Sequence, residues 1–421
     1  MTVVVAGGGI GGLVTALSLH QIGVDVEVFE SVVESRALGV GINLLPHAVR
    51  ELDALGLLEE LGAVAVAPTT LAYFTKRGQA IWTEPRGIAA GYAWPQISIH
   101  RGHLHTVLLN AVLRRLGHER VHFGHHVLGA DLVGNDSVTI HVADRNTASE
   151  HTTTAEALIA ADGIHSAVRA QFYPDEGVPR WNGALLWRGL AEAQPVLDGK
   201  TMVWAGHPGQ KFVGYPVANL VGGLQLFNFI AELRTGETTL AAREDWNRAG
   251  DLADFLPQFE SWTFDWLDVP ALIRSAAGTF VFPMVDRDPI DRWSHGRITL
   301  LGDAAHPMYP IGSNGASQAI LDARVLAGCL RSRPADIAEA FARYDEIRRP
   351  ATSAIVLANR GMGPELPMQL VEERAPDGFA SIDDVITRAE IDEVTDGYRR
   401  TAGFALAALS DGISLADRDY S

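Results

Sequence analysis

Short β-branched runs followed by longer stretches with helical periodicity recur in the first and last thirds of the chain. Thr2-Val-Val-Val-Ala6 reads as a buried strand, Leu13 to Ile22 as the helix behind it, and Val24 to Phe29 as a second strand. Ala157 to Ala161 and Arg297 to Leu301 have the same strand character, and each leads into a helical pattern. Amphipathic helices are expected near Pro46 to Leu61, from Leu104 to Leu116, from about Ala316 to Leu330, and from Pro334 to Asn359. This alternation predicts an α/β fold around a parallel sheet.

The middle of the chain changes style. Between Thr70 and Ile99, Leu71 to Phe74 and Ala80 to Trp82 are short strands punctuated by Pro85, Gly87, Gly91 and Pro95, an excursion from the first fold. Strands are also expected over Val121 to Val127 and Ser137 to Val142, with a polar, hairpin-like stretch from Asn135 to Thr154. From Ala184 to Met284 most of the strand-like runs are aromatic-rich and antiparallel in style, and a helical insert from Arg243 to Leu272 carries Trp246, Trp262 and Trp266. The expectation is a second domain, a sheet with helices on one side, whose aromatic face could line a pocket for a flat ligand. After Gly361 come an acidic helix, Ser381 to Val394, and an apolar run, Gly403 to Leu409, with no chemical motif. The chain has no internal repeats.

Candidate chemistry sits where strands end in glycine. Gly7, Gly9 and Gly12 form G-x-G-x-x-G between a strand and a helix: Gly7 permits the tight turn, Gly9 lets backbone approach a pyrophosphate, and Gly12 lets helix and strand pack closely. Glu30 ends the next strand, eighteen residues after Gly12, where an acid accepts ribose hydroxyls and disfavours a 2′-phosphate. Asp162-Gly163 ends another strand, with Ser166 and Arg169 able to tie its turn to the following helix. Gly302-Asp303 ends a third, and Pro310, Gly312 and Gly315 make a bare turn whose N–H groups suit an anion or an electron-rich ring. Gly39 and Gly41 suggest a chain passing close to a ligand or to another backbone, with a plain loop as the alternative. Arg101 stands at a helix start, suited equally to a phosphate or a surface salt bridge. His100, His103 and His105 have no acidic partner in their run and read as solvated or helix-start residues, not metal ligands.

Bulk properties narrow the classes. The 421 residues suggest two or three domains, and a hydrophobic content of 47% makes them packed units. A formal net charge of −17 argues against nucleic acid or an anionic membrane as partner. The single cysteine, Cys329, excludes an intrachain disulfide or a cysteine zinc cage and fits a reducing cytoplasm; no signal peptide or membrane-length apolar run is seen, and no metal is expected.

With these motifs in place, the sequence resembles the single-component (class A) FAD-dependent aromatic hydroxylases of the p-hydroxybenzoate and salicylate hydroxylase group, over roughly Val3 to Asn359. Within that group the likeness is to the phenazine-modifying branch, through Leu38-Gly-Val-Gly-Ile-Asn43, Glu84-Pro-Arg-Gly87, Ser98-Ile-His-Arg-Gly102, Trp187-Arg-Gly189, Asp245-Trp-Asn-Arg248, Phe282-Pro-Met-Val-Asp-Arg-Asp-Pro289 and Leu300 to Asp322. The resemblance implies a Rossmann-like FAD domain of the glutathione-reductase type (residues 1–71, 99–178 and 285–360), an inserted α+β substrate domain with a mainly antiparallel sheet (72–98 and 179–284) and a helical C-terminal segment (361–421). It implies that Gly7, Gly9 and Gly12 hold the FAD pyrophosphate and Glu30 the adenosine ribose. Arg36 and Arg101 would contact the cofactor's polar middle, Gly41 and Ile42 would flank it, and Val127 would meet the adenine side. Asp162 and Gly163 would serve both FAD and the nicotinamide; Asp303 would bind the ribityl and phosphate region. Pro310, Gly312, Asn314 and Gly315 would lie along the isoalloxazine.

The resemblance further implies non-covalent FAD, NADH or NADPH as reductant, and O2 activated as a flavin C4a-hydroperoxide that hydroxylates an electron-rich aromatic or N-heteroaromatic substrate, an aromatic acid or phenazine among the candidates, with or without decarboxylation. The partners would be a small aromatic substrate and O2, with the chain a monomer or homodimer. Tyr215, Arg188 and His306 are candidates for the pocket or for proton handling. Two other classes share the FAD domain: a two-component oxygenase or halogenase fed reduced flavin, and a non-catalytic FAD-bound sensor. Trp262-Thr-Phe-Asp-Trp266 does not match the halogenase signature.

Overall fold

The computed structural model describes residues 2–34, 39–237 and 248–421. Strands Thr2–Ala6, Asp25–Glu30, Val121–Phe123, Ala157–Ala160 and Ile298–Leu300 form a parallel sheet, and Ser294–His295 adds a short antiparallel edge. Thr2–Ala6 lies between Asp25–Glu30 and Ala157–Ala160, with Val4 paired to both Glu27 and Leu158. Both faces are covered, so the central strands are apolar throughout instead of alternating. Helices Ile10–Gln21, Arg101–Leu116, Gly315–Ser332 and Ile337–Arg360 pack around it.

The second sheet has seven strands in the order Thr279–Asp286, Arg180–Ala193, Gln225–Arg234, Gln210–Asn219, Thr201–His207, Thr70–Phe74 and Ala80–Pro85. All neighbours are antiparallel except Thr201–His207 with Thr70–Phe74. The period of two sorts its aromatic residues: Tyr73, Trp82, Trp204 and Tyr215 face one way, and Trp187, Phe212, Phe227 and Phe229 the other.

Helices cover both faces of this sheet, not one. Leu252–Phe259 and Val269–Ser275 cover the second set of aromatic residues. C-terminal residues Met368, Val371, Ile386 and Ile391, with Tyr309 and Ile311, cover the first. The helical insert expected from Arg243 to Leu272 holds two short helices separated by a small hairpin, Thr263–Phe264 with Leu267–Asp268, and Arg243 and Trp246 lie outside the described residues.

Other differences are local. Gly56, in the left-handed region at φ +70°, ends the first part of the helix expected from Pro46, giving Pro46–Ala54 and Leu58–Gly62. Ser98 to His100 is strand, since Ile97–His100 pairs with Gly41–Leu44, and the helix opens after it with His100 Nδ1 accepting the Gly102 N–H at 3.1 Å. The acidic helix starts late: Ile382–Asp384 is a single turn, and Arg388–Thr401 begins behind a Thr387/Glu390 capping box.

The C-terminal segment is built into the molecule. Lys211 Nζ is buried between Glu232, at 2.9 Å, and Glu365, at 2.5 Å, joining the second sheet to residues just after the long helix. Further on, buried Glu51 accepts from Arg324 and Ser414. No described helix is long and apolar enough to cross a membrane.

Candidate active site

The first glycine turn is shaped by contacts that leave no room for side chains. Gly7 lies at φ +102°, and a Cβ there would sit 2.4 Å from the Ala161 carbonyl oxygen; one at Gly12 would come within 1.9 Å of the Gly7 oxygen. At Gly9, the N-cap of Ile10–Gln21, a Cβ would meet nothing within 4 Å, so the backbone there faces open space. Glu30 braces the turn from the next strand, its Oε2 accepting the Gly8 N–H at 2.6 Å and its Oε1 that of Val32 at 2.8 Å. From the facing helix, His105 Nε2 lies 2.7 Å from the Gly8 carbonyl oxygen, a tie that the reading of the histidine run did not foresee.

Asp162 accepts the Ala167 N–H on Oδ2 at 3.0 Å, while its buried Oδ1 has no partner. Burial pushes this carboxyl up to about 6 against the turn's hydrogen bonds. Gly163 follows at φ +83° and, like Gly9, faces open space. Ser166 Oγ caps the next helix by accepting the Arg169 N–H at 3.0 Å. Arg169 reaches further than its own helix: fully buried, it donates to the carbonyls of Ala304 at 3.0 Å and Ala305 at 2.7 Å. One guanidinium thus fixes the spacing between the Asp162 and Asp303 turns.

Asp303 is open to solvent yet flanked by protein mass, and this surrounding raises its carboxyl above the usual range against the attraction of His306 and Arg101. Behind it, Asp322 carries the turn. Its Oδ2 accepts the Gly302 N–H at 3.2 Å and lies 2.5 Å from His306 Nε2, and its Oδ1 accepts Arg348 Nε at 2.7 Å. Burial opposes ionisation of Asp322, but His306 and Arg348 outweigh it and hold the carboxyl low. His306 is therefore placed beneath the turn as a partner of Asp322.

The 310–315 turn has left-handed residues at Gly312, φ +70°, and Ser313, φ +57°. A Cβ on Gly312 would lie 2.2 Å from the Tyr398 hydroxyl, and one on Gly315 would meet nothing within 4 Å. Asn314 Nδ2 donates to Tyr398 Oη at 2.8 Å, and that hydroxyl lies 2.7 Å from Asn359 Oδ1. Sequence offered no local signal for Tyr398, which comes from a segment without motifs.

The Gly41–Leu44 strand joins these turns to the second sheet. The Gly41 N–H donates to Asn228 Oδ1 at 2.7 Å, and its carbonyl accepts Arg188 Nη2 at 2.7 Å and Tyr215 Oη at 3.0 Å. A side chain at 41 would strike Asn228 and Tyr215, the close approach expected of this glycine. Arg188 and Tyr215, on neighbouring regions of the sheet, meet at one backbone oxygen; burial pushes the Tyr215 phenol up and eases the Arg188 cation down. Ile42 is half-buried beside them, and Arg101 is exposed at its helix start. Val127 is buried, paired with Val142 in the three-stranded sheet. Arg36 lies outside the described residues. Among the described residues no three His, Cys, Asp or Glu side chains cluster as a metal site would need.

Three sites of open space (Gly9, Gly163 and Gly315), the unpartnered Asp162 oxygen and the accessible Asp303 carboxylate fit a long ligand with a phosphate-bearing middle and hydroxyls, as FAD has. A family model described as FAD binding domain matches residues 1–234 and 280–358. The chain is 46% identical over 363 residues to the phenazine 1,6-dicarboxylic acid hydroxylase of Lysobacter antibioticus, covering 85% of this chain and 89% of that one. It is 33% identical to the 3-amino-4-hydroxybenzoate 2-monooxygenase of Streptomyces cremeus over 99% of this chain and 98% of the relative. Among solved structures, Klebsiella pneumoniae HpxO complexed with FAD and uric acid aligns with a TM-score of 0.74 at 26% identity, over 97% of each chain.

Proposed function

The chain belongs to the FAD binding domain family, and from that membership we propose a single-component flavin-dependent monooxygenase that uses NAD(P)H and O2 to hydroxylate an aromatic acid, with phenazine carboxylic acids as the favoured substrate class. The observation that carries this reading is the set of turns at Gly9, Gly163 and Gly315, each with open space before it, together with Arg169, which ties the Asp162 turn to the Asp303 turn.

In this reading Gly7, Gly9 and Gly12 take the pyrophosphate at the N-terminus of Ile10–Gln21, and Glu30 faces the ribose. Arg36 and Arg101 serve the polar middle, and Val127 supports the adenine side from the core. Asp162 supplies its free oxygen, Asp303 meets ribityl hydroxyls, and Pro310, Gly312, Asn314 and Gly315 present backbone to the ring. Bound FAD, reduced by NAD(P)H and supplied with O2, provides the electrophilic oxygen.

The protein's own tasks are positioning and exclusion of water. Arg188 and Tyr215 fix the Gly41 carbonyl, so that Gly41 and Ile42 hold their place beside the ring; they act as positioning residues. His306, through Asp322, does the same for the Asp303 turn. The aromatic face of the second sheet packs against Tyr309 and Ile311 and keeps that end dry. The FAD-loaded protein alone, offered phenazine-1,6-dicarboxylate, should oxidise NAD(P)H faster than without it. Activity only with a separate flavin reductase would point instead to a two-component enzyme, and no stimulation in either case would refute the reading.

A further inference from the structure

The Glu84-Pro-Arg-Gly87 motif has no part in the FAD site, yet it forms one wall of a separate cleft. The C-terminal helix Arg388–Thr401 forms the other wall. The outer part holds about 340 Å3 and is bordered by Arg86, Tyr92, Arg388, Arg399, Arg400 and Phe404. The inner end narrows to about 20 Å3, against Met202, Trp204, Tyr398 and the turn at Gly312 and Ser313. Both parts share Arg86, Gln96 and Phe404, so the cleft leads from the surface to the turn assigned above to the flavin ring.

Its lining is positive in a chain of formal charge −17. Four arginines face two acids, Glu84 and Asp396. Glu84 is buried and already shared: it lies 3.3 Å from Arg86 and 2.8 Å from Arg399, and Tyr73 and Trp82 each donate to it at 3.2 Å. Asp396, exposed at the rim, pairs with Arg399 at 2.6 Å. Three buried polar atoms on the lining have no partner: Arg86 Nε, Gln96 Oε1 and Trp204 Nε1. Gln96 and Trp204 are 3% and 5% exposed. Gly87 maintains this wall, since a Cβ there would lie 2.5 Å from the Gln96 nitrogen.

We propose that this cleft captures the anionic substrate. A planar aromatic carboxylate seats in the outer part beside Tyr92 and Phe404, which are tied to each other by a 2.6 Å bond from the Tyr92 hydroxyl to the Phe404 carbonyl, and its carboxylate is held by Arg86 with Arg399 behind it. The substrate class rests on the function proposed above; the site rests on the cleft itself. Guanidinium suits a carboxylate through paired, planar donors, and a rim of like charge speeds encounter with an anion.

The test titrates FAD-loaded enzyme with phenazine-1,6-dicarboxylate and with its dicarboxamide, which keeps the ring and loses the charge. Wild type should bind the acid about tenfold or more tightly than the amide. Arg86→Met should weaken the acid about tenfold and leave the amide within about twofold. Arg388→Ala/Arg400→Ala, on the exposed rim, should slow association of the acid and flatten its salt dependence while leaving dissociation unchanged. Equal loss of acid and amide in Arg86→Met, or unchanged acid binding, overturns the proposal. If Arg86→Met does not fold, an unchanged association rate and salt dependence in the rim variant overturns it. Charge-selective binding without acid-stimulated NAD(P)H oxidation would refute the proposed activity and leave the capture site standing.

Discussion

Asn314 Nδ2 lies 2.8 Å from the Tyr398 hydroxyl, 84 residues further along the chain, and this contact fastens the C-terminal helix to the 310–315 turn. The hydroxyl also serves Asn359, whose own Nδ2 donates to the Tyr309 carbonyl at 3.0 Å. The turn is thus held from both the long helix and the C-terminal one.

Removing that hydroxyl leaves two buried amides short of a partner. Tyr398→Phe is expected to lower stability by about 1–3 kcal/mol and to weaken FAD, read by thermal melting and by flavin fluorescence titration. Gly312→Ala adds a methyl 2.2 Å from the hydroxyl oxygen at φ +70° and should lose bound flavin more completely. Unchanged flavin affinity in both would mean that the turn is not held by this contact.

The parallel sheet and its glycine turns were legible because local chemistry dictates them: a β-branched run ending at Gly7 or Gly302 and entering a periodic helix has few alternatives. The face assignments of Tyr73, Trp82, Trp204 and Tyr215 were not, because period two says which residues share a side but not what covers it. Arg169, His105 and Tyr398 act at long range, bonding Ala304, Gly8 and Asn314. No spacing within their own segments encodes such partners. Arg188 and Tyr215 could be singled out in the sequence only as candidates for the pocket or for proton handling, whereas their shared partner, the Gly41 carbonyl, emerges only from the packing of two sheets.

That shared partner separates positioning from proton handling. Arg188→Ala and Tyr215→Phe should each weaken FAD, since the Gly41 carbonyl keeps one donor of two. At saturating FAD both should keep the wild-type ratio of product formed to NAD(P)H consumed. Uncoupled oxidation at saturating FAD would instead assign one of them a role in the chemistry.

Lys211 is enclosed by Glu232 and Glu365, and burial opposes its charge less than the two carboxylates support it. Lys211→Met strands two buried acids and is expected to cost about 3–5 kcal/mol, with early proteolytic cleavage after residue 361. Glu365→Gln, which leaves the Lys211–Glu232 pair intact, should cost less. A melting temperature unchanged by Lys211→Met would contradict the buried cluster.

Asp162 supplies a pH signature. Its folded carboxyl, near 6, lies above the unfolded value, so the fold favours the protonated form. The contribution is complete below the unfolded value of about 4 and is lost as pH rises through about 6, a difference of no more than about 3 kcal/mol. Flavin-stripped Asp162→Asn should therefore gain stability over wild type as pH rises from about 4 to about 7, measured by paired melting curves. A constant difference between the two curves would remove the perturbed carboxyl from the account.

Oxygen transfer from O2 to an aromatic acid by this chain alone is read directly with labelled oxygen. FAD-loaded protein, NAD(P)H and phenazine-1,6-dicarboxylate are incubated under 18O2 and the product is analysed by mass spectrometry. A hydroxylated product carrying one 18O, with substrate-stimulated flavin reduction, is expected. Consumption of NAD(P)H that yields only hydrogen peroxide, or a product whose new oxygen comes from water, would contradict it.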